Sequence, residues 1–207
     1  MVPCSAELST STEHAGAGGL PTIVLVDGEN IDFAIGHLLG RRPEPKDRPR
    51  WNAILEHFSA DRTPARGVFF FNCSDSLPPY SFISFLGEVG YEAAALRGDG
   101  KVVDRGILMT LDALRGQPCE VVLLSHDGDF FEKVEALLES GTAVTLACFP
   151  ERANVQLCRL VDAGLKLLDL ERDIPGSFTQ PLKRRAVAVV DLEHFDAPAL
   201  VSRLLAA

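Results

Sequence analysis

Apolar and polar positions along this chain follow two alternating patterns. Short runs rich in β-branched and apolar residues recur at Thr22–Val26, Val68–Phe71, Tyr91–Leu96, Glu120–Ser125, Ala143–Phe149 and Leu165–Leu170. Runs of that length, apolar on both faces, predict strands buried inside a parallel sheet. Between them, apolar residues fall at helical spacing. Ile31, Ile35, Leu38 and Leu39 precede Gly40, and Trp51, Ile54, Leu55 and Phe58 mark a second short helix. Phe82 to Val89 precedes Gly90, Val103 to Leu114 precedes Gly116, Phe131 to Leu138 precedes Gly141, and Ala153–Val161 forms a last stripe. Glycine just beyond an apolar stripe is a natural helix stop. Strands alternating with helices predict an α/β fold, a three-layer α/β/α sandwich around a central, mainly parallel sheet.

The ends of the chain depart from this rhythm. Residues 1–20 form a polar Gly/Ala/Ser-rich arm expected to be flexible, and residues 21–170 carry the α/β pattern. Residues 171–207 read as a C-terminal extension, with a strand at Ala186–Val190 and a short helix at Pro198–Leu205. That extension is expected to be an extra layer or a self-association element, which makes a homo-oligomer one expectation. Residues 41–50 hold three prolines and five basic residues, the composition of a surface loop.

Composition narrows the function. A chain of 207 residues suits one domain with an appendage. No apolar run approaches the ~20 residues that span a bilayer, so no membrane partner is expected. The first twenty residues lack the apolar core of a secretory signal. The five cysteines form no C-x-x-C pair and read as reduced thiols of a cytoplasmic protein. With 20 basic and 29 acidic residues the net charge is −9. Bulk charge therefore repels nucleic acid, and any phosphodiester must be attracted by bound metal ions and local basic patches.

Candidate chemistry lies at the strand ends, where α/β sheets bind ligands. Asp27-Gly28-Glu29-Asn30 follows the first strand, where a turn and an Asn cap are a sufficient bland explanation. Lys101 and Asp104 open the fourth helix. Asp104 shares the apolar stripe of Ile107, Leu108 and Leu111, an expensive place for a carboxylate unless it is paired or binds metal. Ser125-His126-Asp127-Gly128-Asp129 follows the most apolar strand, and Asp129 with Glu132 matches a helix-capping pattern. Asp27, Asp104, Asp127 and Asp129 are thus expected on one sheet edge. Four crowded carboxylates repel one another unless a cation neutralises them, and all-oxygen ligands suit Mg²⁺ or Mn²⁺. Such a centre is the usual equipment for hydrolysing a phosphodiester.

These three motifs in order (strand-Asp-x-x-Asn, Lys-x-x-Asp, Ser-x-Asp-x-Asp-Phe) resemble the NYN domain, the LabA-like members of the PIN-domain nuclease superfamily. The resemblance covers about residues 22–170. It implies a PIN-like fold, Mg²⁺- or Mn²⁺-dependent cleavage of an RNA substrate, and an acidic cluster of Asp27, Asp104, Asp127 and Asp129 supported by Asn30 and Ser125. His126 stands where the family often has Gly. A haloacid-dehalogenase-like phosphatase is excluded because Glu29 occupies the position of its second Asp. A Toprim-like nuclease expects Glu where Asp27 stands. The competing class is a catalytically silent PIN-like module that binds RNA or a protein. Arg97 and Lys101 are expected beside the scissile phosphate and to dominate RNA affinity, whereas the Arg41–Arg50 loop begins at the far end of its helix. The aromatic residues are core-patterned, and no base-stacking platform is legible.

Overall fold

The computed structural model describes residues 19–59, 63–185 and 190–206. Most of the N-terminal arm and of the expected Ala186–Val190 strand lie outside those residues. The six expected strands all form: β1 (Thr22–Asp27), β2 (Arg66–Asn72), β3 (Tyr91–Leu96), β4 (Glu120–Leu124), β5 (Val144–Cys148) and β6 (Lys166–Asp169). They make one sheet in the order β3-β2-β1-β4-β5-β6, with every pair parallel. At its centre Val24 pairs with Val122 and Val26 with Leu124, so Asp27 at the end of β1 and Ser125 just beyond β4 come side by side.

Side-chain alternation along the central strands splits the core into two layers. Val24, Val26, Phe69, Val122 and Leu124 face helices α1 (Gly28–Leu39), α2 (Trp51–Phe58) and α3 (Tyr80–Glu88), meeting Ile31, Ile35, Ile54 and Leu86. Leu25, Phe70, Val121, Leu123 and Leu146 face α4 (Val102–Leu114), α5 (Phe131–Glu139) and α6 (Val155–Arg159), meeting Ile107, Leu111, Val134 and Leu137. Each fully buried side chain of this size contributes roughly 1.5–3 kcal/mol. The three-layer α/β/α sandwich is therefore as the periodicity predicts. The chain runs outward from β1 to β3, crosses back beside β1 to β4, and covers the opposite face from there. A crevice opens where the winding reverses, between the carboxyl ends of β1 and β4.

Local differences from the sequence pattern have physical causes. α1 begins at Gly28 because Asp27 itself caps it, with its Oδ1 accepting the Asn30 N–H at 3.1 Å. A side chain at position 28 would run into the Phe69 ring, so only glycine lets β2 pack against the start of α1. The expected Ala153–Val161 helix shortens to α6 followed by a 3-10 turn at Leu160–Ala163, with Asn154 capping through Gln156 N–H at 2.8 Å.

The 41–50 loop differs most. It is tied down rather than trailing from the far end of α1. Arg41 grips Asp47, Arg48 makes a bidentate pair with Asp32 of α1 at 2.6–3.1 Å, and Arg50 N–H donates to Ser177 O at 2.6 Å. The Asp32 partner draws the loop back toward the first turns of α1. Beyond β6, Ile174 and Leu182 of the C-terminal segment join the α1–α3 core layer. Arg184 bridges Glu151 and Glu171. The terminal helix α7 (Ala197–Leu205) buries none of its side chains among the described residues.

Candidate metal centre

Asp27 is the last residue of β1 and is almost fully buried, at 2% exposure. Its Oδ1 accepts the Asn30 N–H, and its Oδ2 accepts the Ser125 hydroxyl at 3.1 Å across the β1–β4 seam. Burial pushes its carboxyl up to about 6; the two hydrogen bonds oppose that rise, and the nearby charges of Asp104 and Asp127 add to it. Ser125 also accepts the Asp127 N–H at 3.2 Å, so one hydroxyl ties the first acidic residue to the loop carrying the last two.

In that loop the capping roles are the reverse of the sequence expectation. Asp127, not Asp129, caps, with its Oδ1 accepting the Asp129 N–H at 3.0 Å to open a 3-10 turn. α5 follows with no side-chain cap. Both aspartates can cap by composition, and the choice falls on the one whose backbone Ser125 has already fixed. Asp129 is left to reach Lys101.

Asp104, in the first turn of α4, projects into the same space with its side chain 17% exposed. One carboxylate oxygen from each of Asp104, Asp127 and Asp129 lies within 4.8 Å of the others. Lys101 Nζ stands among them, 2.7 Å from Asp129, 3.3 Å from Asp104 and 3.9 Å from Asp127. These partners, Asp129 first, hold its ammonium well above the ordinary lysine range. A cleft of about 480 Å³ joins two of the trio to Asp27: its walls include Asp27, Asn30, Lys101, Asp104 and Asp127. Arg97 does not line it. Its Nε turns to the Cys73 carbonyl at 3.4 Å, since β3 is the sheet edge and stands two strands from β1.

Two features of this edge escape the sequence reading. Asn72 lines the cleft, beside Glu29 of the first motif. Asn72 was findable as the first polar residue after the Phe run of β2, on the same sheet edge as Asp27. His126 is the larger omission. Its buried Nε2 accepts the Phe149 N–H at 2.9 Å, so that nitrogen is unprotonated and Nδ1 carries the hydrogen. Nδ1–H donates to Asn30 Oδ1 at 2.9 Å, and the His126 backbone N–H donates to the same oxygen at 2.8 Å. The ring also stacks on Phe149, with centroids 5.5 Å apart. Burial, reinforced by Arg152, lowers its pKa to about 4 and keeps it neutral. Asn30 thus spends its amide oxygen on clamping the β4–α5 loop. Only a lone histidine at a Gly position hints at this in sequence, because its partners come from distant segments.

The donor set fits a hard divalent cation. The cluster found among the described residues is wholly carboxylate, which suits Mg²⁺ or Mn²⁺ and not zinc. The described cysteines are free and none belongs to it. No helix among the described residues is long and apolar enough to cross a membrane.

The family model that matches this chain is the NYN domain, over residues 21–168. A crystal structure of a protein of unknown function from Vibrio parahaemolyticus RIMD 2210633 has a similar fold, with a TM-score of 0.60 at 20% identity. The match covers 75% of this chain and 96% of that one. No curated protein matches the sequence.

Proposed function

This chain belongs to the NYN domain family, with its PIN-like nuclease-type fold, and from that premise we propose that it is a metal-dependent ribonuclease hydrolysing RNA phosphodiester bonds. One observation carries the reading: carboxylates from α4 and the β4–α5 loop converge within 4.8 Å at the reversal point of the sheet. Asp104, Asp127 and Asp129 would hold Mg²⁺ or Mn²⁺, and Asp27 completes the acidic set from the floor of the cleft. The cation supplies Lewis acidity, neutralising charge on the scissile phosphate and acidifying water. Ser125 fixes the Asp27 carboxylate by hydrogen bond, and Asn30 with His126 holds the loop that positions Asp127 and Asp129. Lys101, whose Nζ stands among the trio, would be positioned to meet phosphate charge, with Arg97 farther along the edge. A cytoplasmic location is part of this reading, supported by the free thiols of the described cysteines.

The alternative is a silent module that binds RNA or a protein. It draws on Lys101, which already balances part of the trio's charge without any metal. Incubating single-stranded RNA with purified protein in Mg²⁺, Mn²⁺ or EDTA decides between them. Cleavage should require the metal, and Asp27→Asn and Asp127→Asn should each abolish it while the far-UV circular dichroism stays native. An Asp127→Asn protein that cleaves at the wild-type rate contradicts the proposal.

A further inference from the structure

A second and larger groove, of about 1010 Å³, adjoins the acidic cleft, and Glu29 lines both. Its composition is the opposite of the cleft's. Phe71, Phe82 and Phe85 present aromatic surface, and Arg42, Arg48 and Arg50 stand around it. We propose that this groove seats unpaired nucleotides of a single-stranded RNA beside the cleavage site, with bases against the phenylalanines and phosphates toward the arginines. The inference rests on the ribonuclease reading of the neighbouring cleft.

The aromatic surface is rigid. Phe69 and Phe71 stack at 4.9 Å, and Phe82 meets both edge-on at 5.6 and 5.8 Å, so each ring is held by the others. Phe85, 40% exposed on α3, extends this surface outward. These rings come from β2 and α3, which is why no platform is legible from the sequence. Base stacking on fixed aromatic faces needs no particular sequence, but it does need bases free of a partner strand.

The arginines supply the charge that a chain of net −9 otherwise lacks. Arg48 is fixed, and largely neutralised, by its bidentate pair with Asp32. Arg42 and Arg50 also line the groove and make no ion pair among the described residues, so three arginines stand there against Glu29 and Asp32. This arrangement exists only because the 41–50 loop folds back along α1. An uncharged apolar peptide would fill the aromatic floor but leave those charges unused. A strand of RNA satisfies both, and because Glu29 lines groove and cleft alike, the same strand can run on toward the acidic site.

Fluorescence anisotropy of a labelled single-stranded RNA in EDTA tests the groove without any cleavage. Phe85→Ala should weaken binding roughly 5- to 100-fold, in line with loss of a stacked base. Arg42→Ala with Arg50→Ala should weaken it and flatten the salt slope by about 1.4, two contacts at roughly 0.7 each. A duplex of the same sequence should bind less well than the single strand. Wild-type affinity in both groove variants, equal affinity for duplex, or displacement by a proline-rich peptide with no RNA binding would overturn the inference. Groove-dependent binding without metal-dependent cleavage would uphold it and sink the ribonuclease reading alone.

Discussion

Asp27 and the Asp104–Asp127–Asp129 trio stand at one edge of the sheet, yet the protein around them treats them in opposite ways. Asp27 is buried, and both its oxygens are engaged by protein donors, one a backbone N–H and one the Ser125 hydroxyl. The network continues through Asn30 to His126 and Phe149, linking the ends of β1, β4 and β5. The trio is half-buried to exposed, and its charge is answered by one lysine that is itself 65% exposed. A group satisfied by buried protein donors is committed to the fold. Groups satisfied by one solvated ammonium can exchange it for another cation at little cost, because exposed ion pairs are worth about 0–1 kcal/mol. On the proposed reading, the difference separates the part that shapes the site from the part that would bind.

The largest effect expected of this contrast is structural. His126→Ala leaves the Phe149 N–H without its partner and opens a hole beside the Phe149 ring, which should destabilise the protein by about 2–4 kcal/mol. Urea unfolding in EDTA measures this, and a loss below about 1 kcal/mol would mean the network is not what holds the loop. Asp129→Asn, on the exposed side, should change stability far less.

Next comes a pH effect on the metal-free protein. The Asp27 carboxyl stands at about 6 in the fold against 3.8 ordinarily, so its contribution to stability is present below 3.8 and lost as pH rises through 6. His126, at about 4 against 6.5, contributes stability above 6.5 that is lost as pH falls through 4. The two oppose each other over pH 4–6.5. Asp27→Asn removes one of them, so relative to wild type the variant should gain stability across that window, by at most about 3 kcal/mol. Unfolding midpoints in EDTA at several pH values check the sign. A gap between the two proteins that does not change with pH would contradict the buried-charge account of Asp27.

The smallest effect concerns Lys101. Lys101→Met should cost less than about 1 kcal/mol of stability, yet tighten Mn²⁺ binding by up to about fivefold, because it removes the competing cation. Slower RNA cleavage by the same variant, despite tighter metal, would separate a role toward phosphate from a role in screening the cluster.

The sequence makes the sheet legible and the wiring of its edge illegible, for the same reason. Strand identity depends on neighbours in the chain, and the runs at Thr22–Val26 and Glu120–Ser125 declare themselves locally. The four acidic positions also declare themselves, because each follows a strand or opens a helix. What they do there depends on partners far away. Asp127 caps and Asp129 does not because Ser125 and Lys101 stand where they do. His126 earns its role from Asn30 and Phe149, 96 and 23 residues distant. The basic loop belongs beside the site because Arg48 finds Asp32, a pairing that no local pattern announces.

The central claim is that the trio is a divalent-cation site. Titration calorimetry with Mn²⁺ addresses it without knowledge of the RNA. Wild-type protein should give a saturable isotherm, and Asp104→Asn and Asp127→Asn should each weaken binding at least about tenfold, since affinity for a hard cation rises with the number of charged oxygens around it. Isotherms identical in wild type and both variants, or no saturable heat from any of them, would contradict the account.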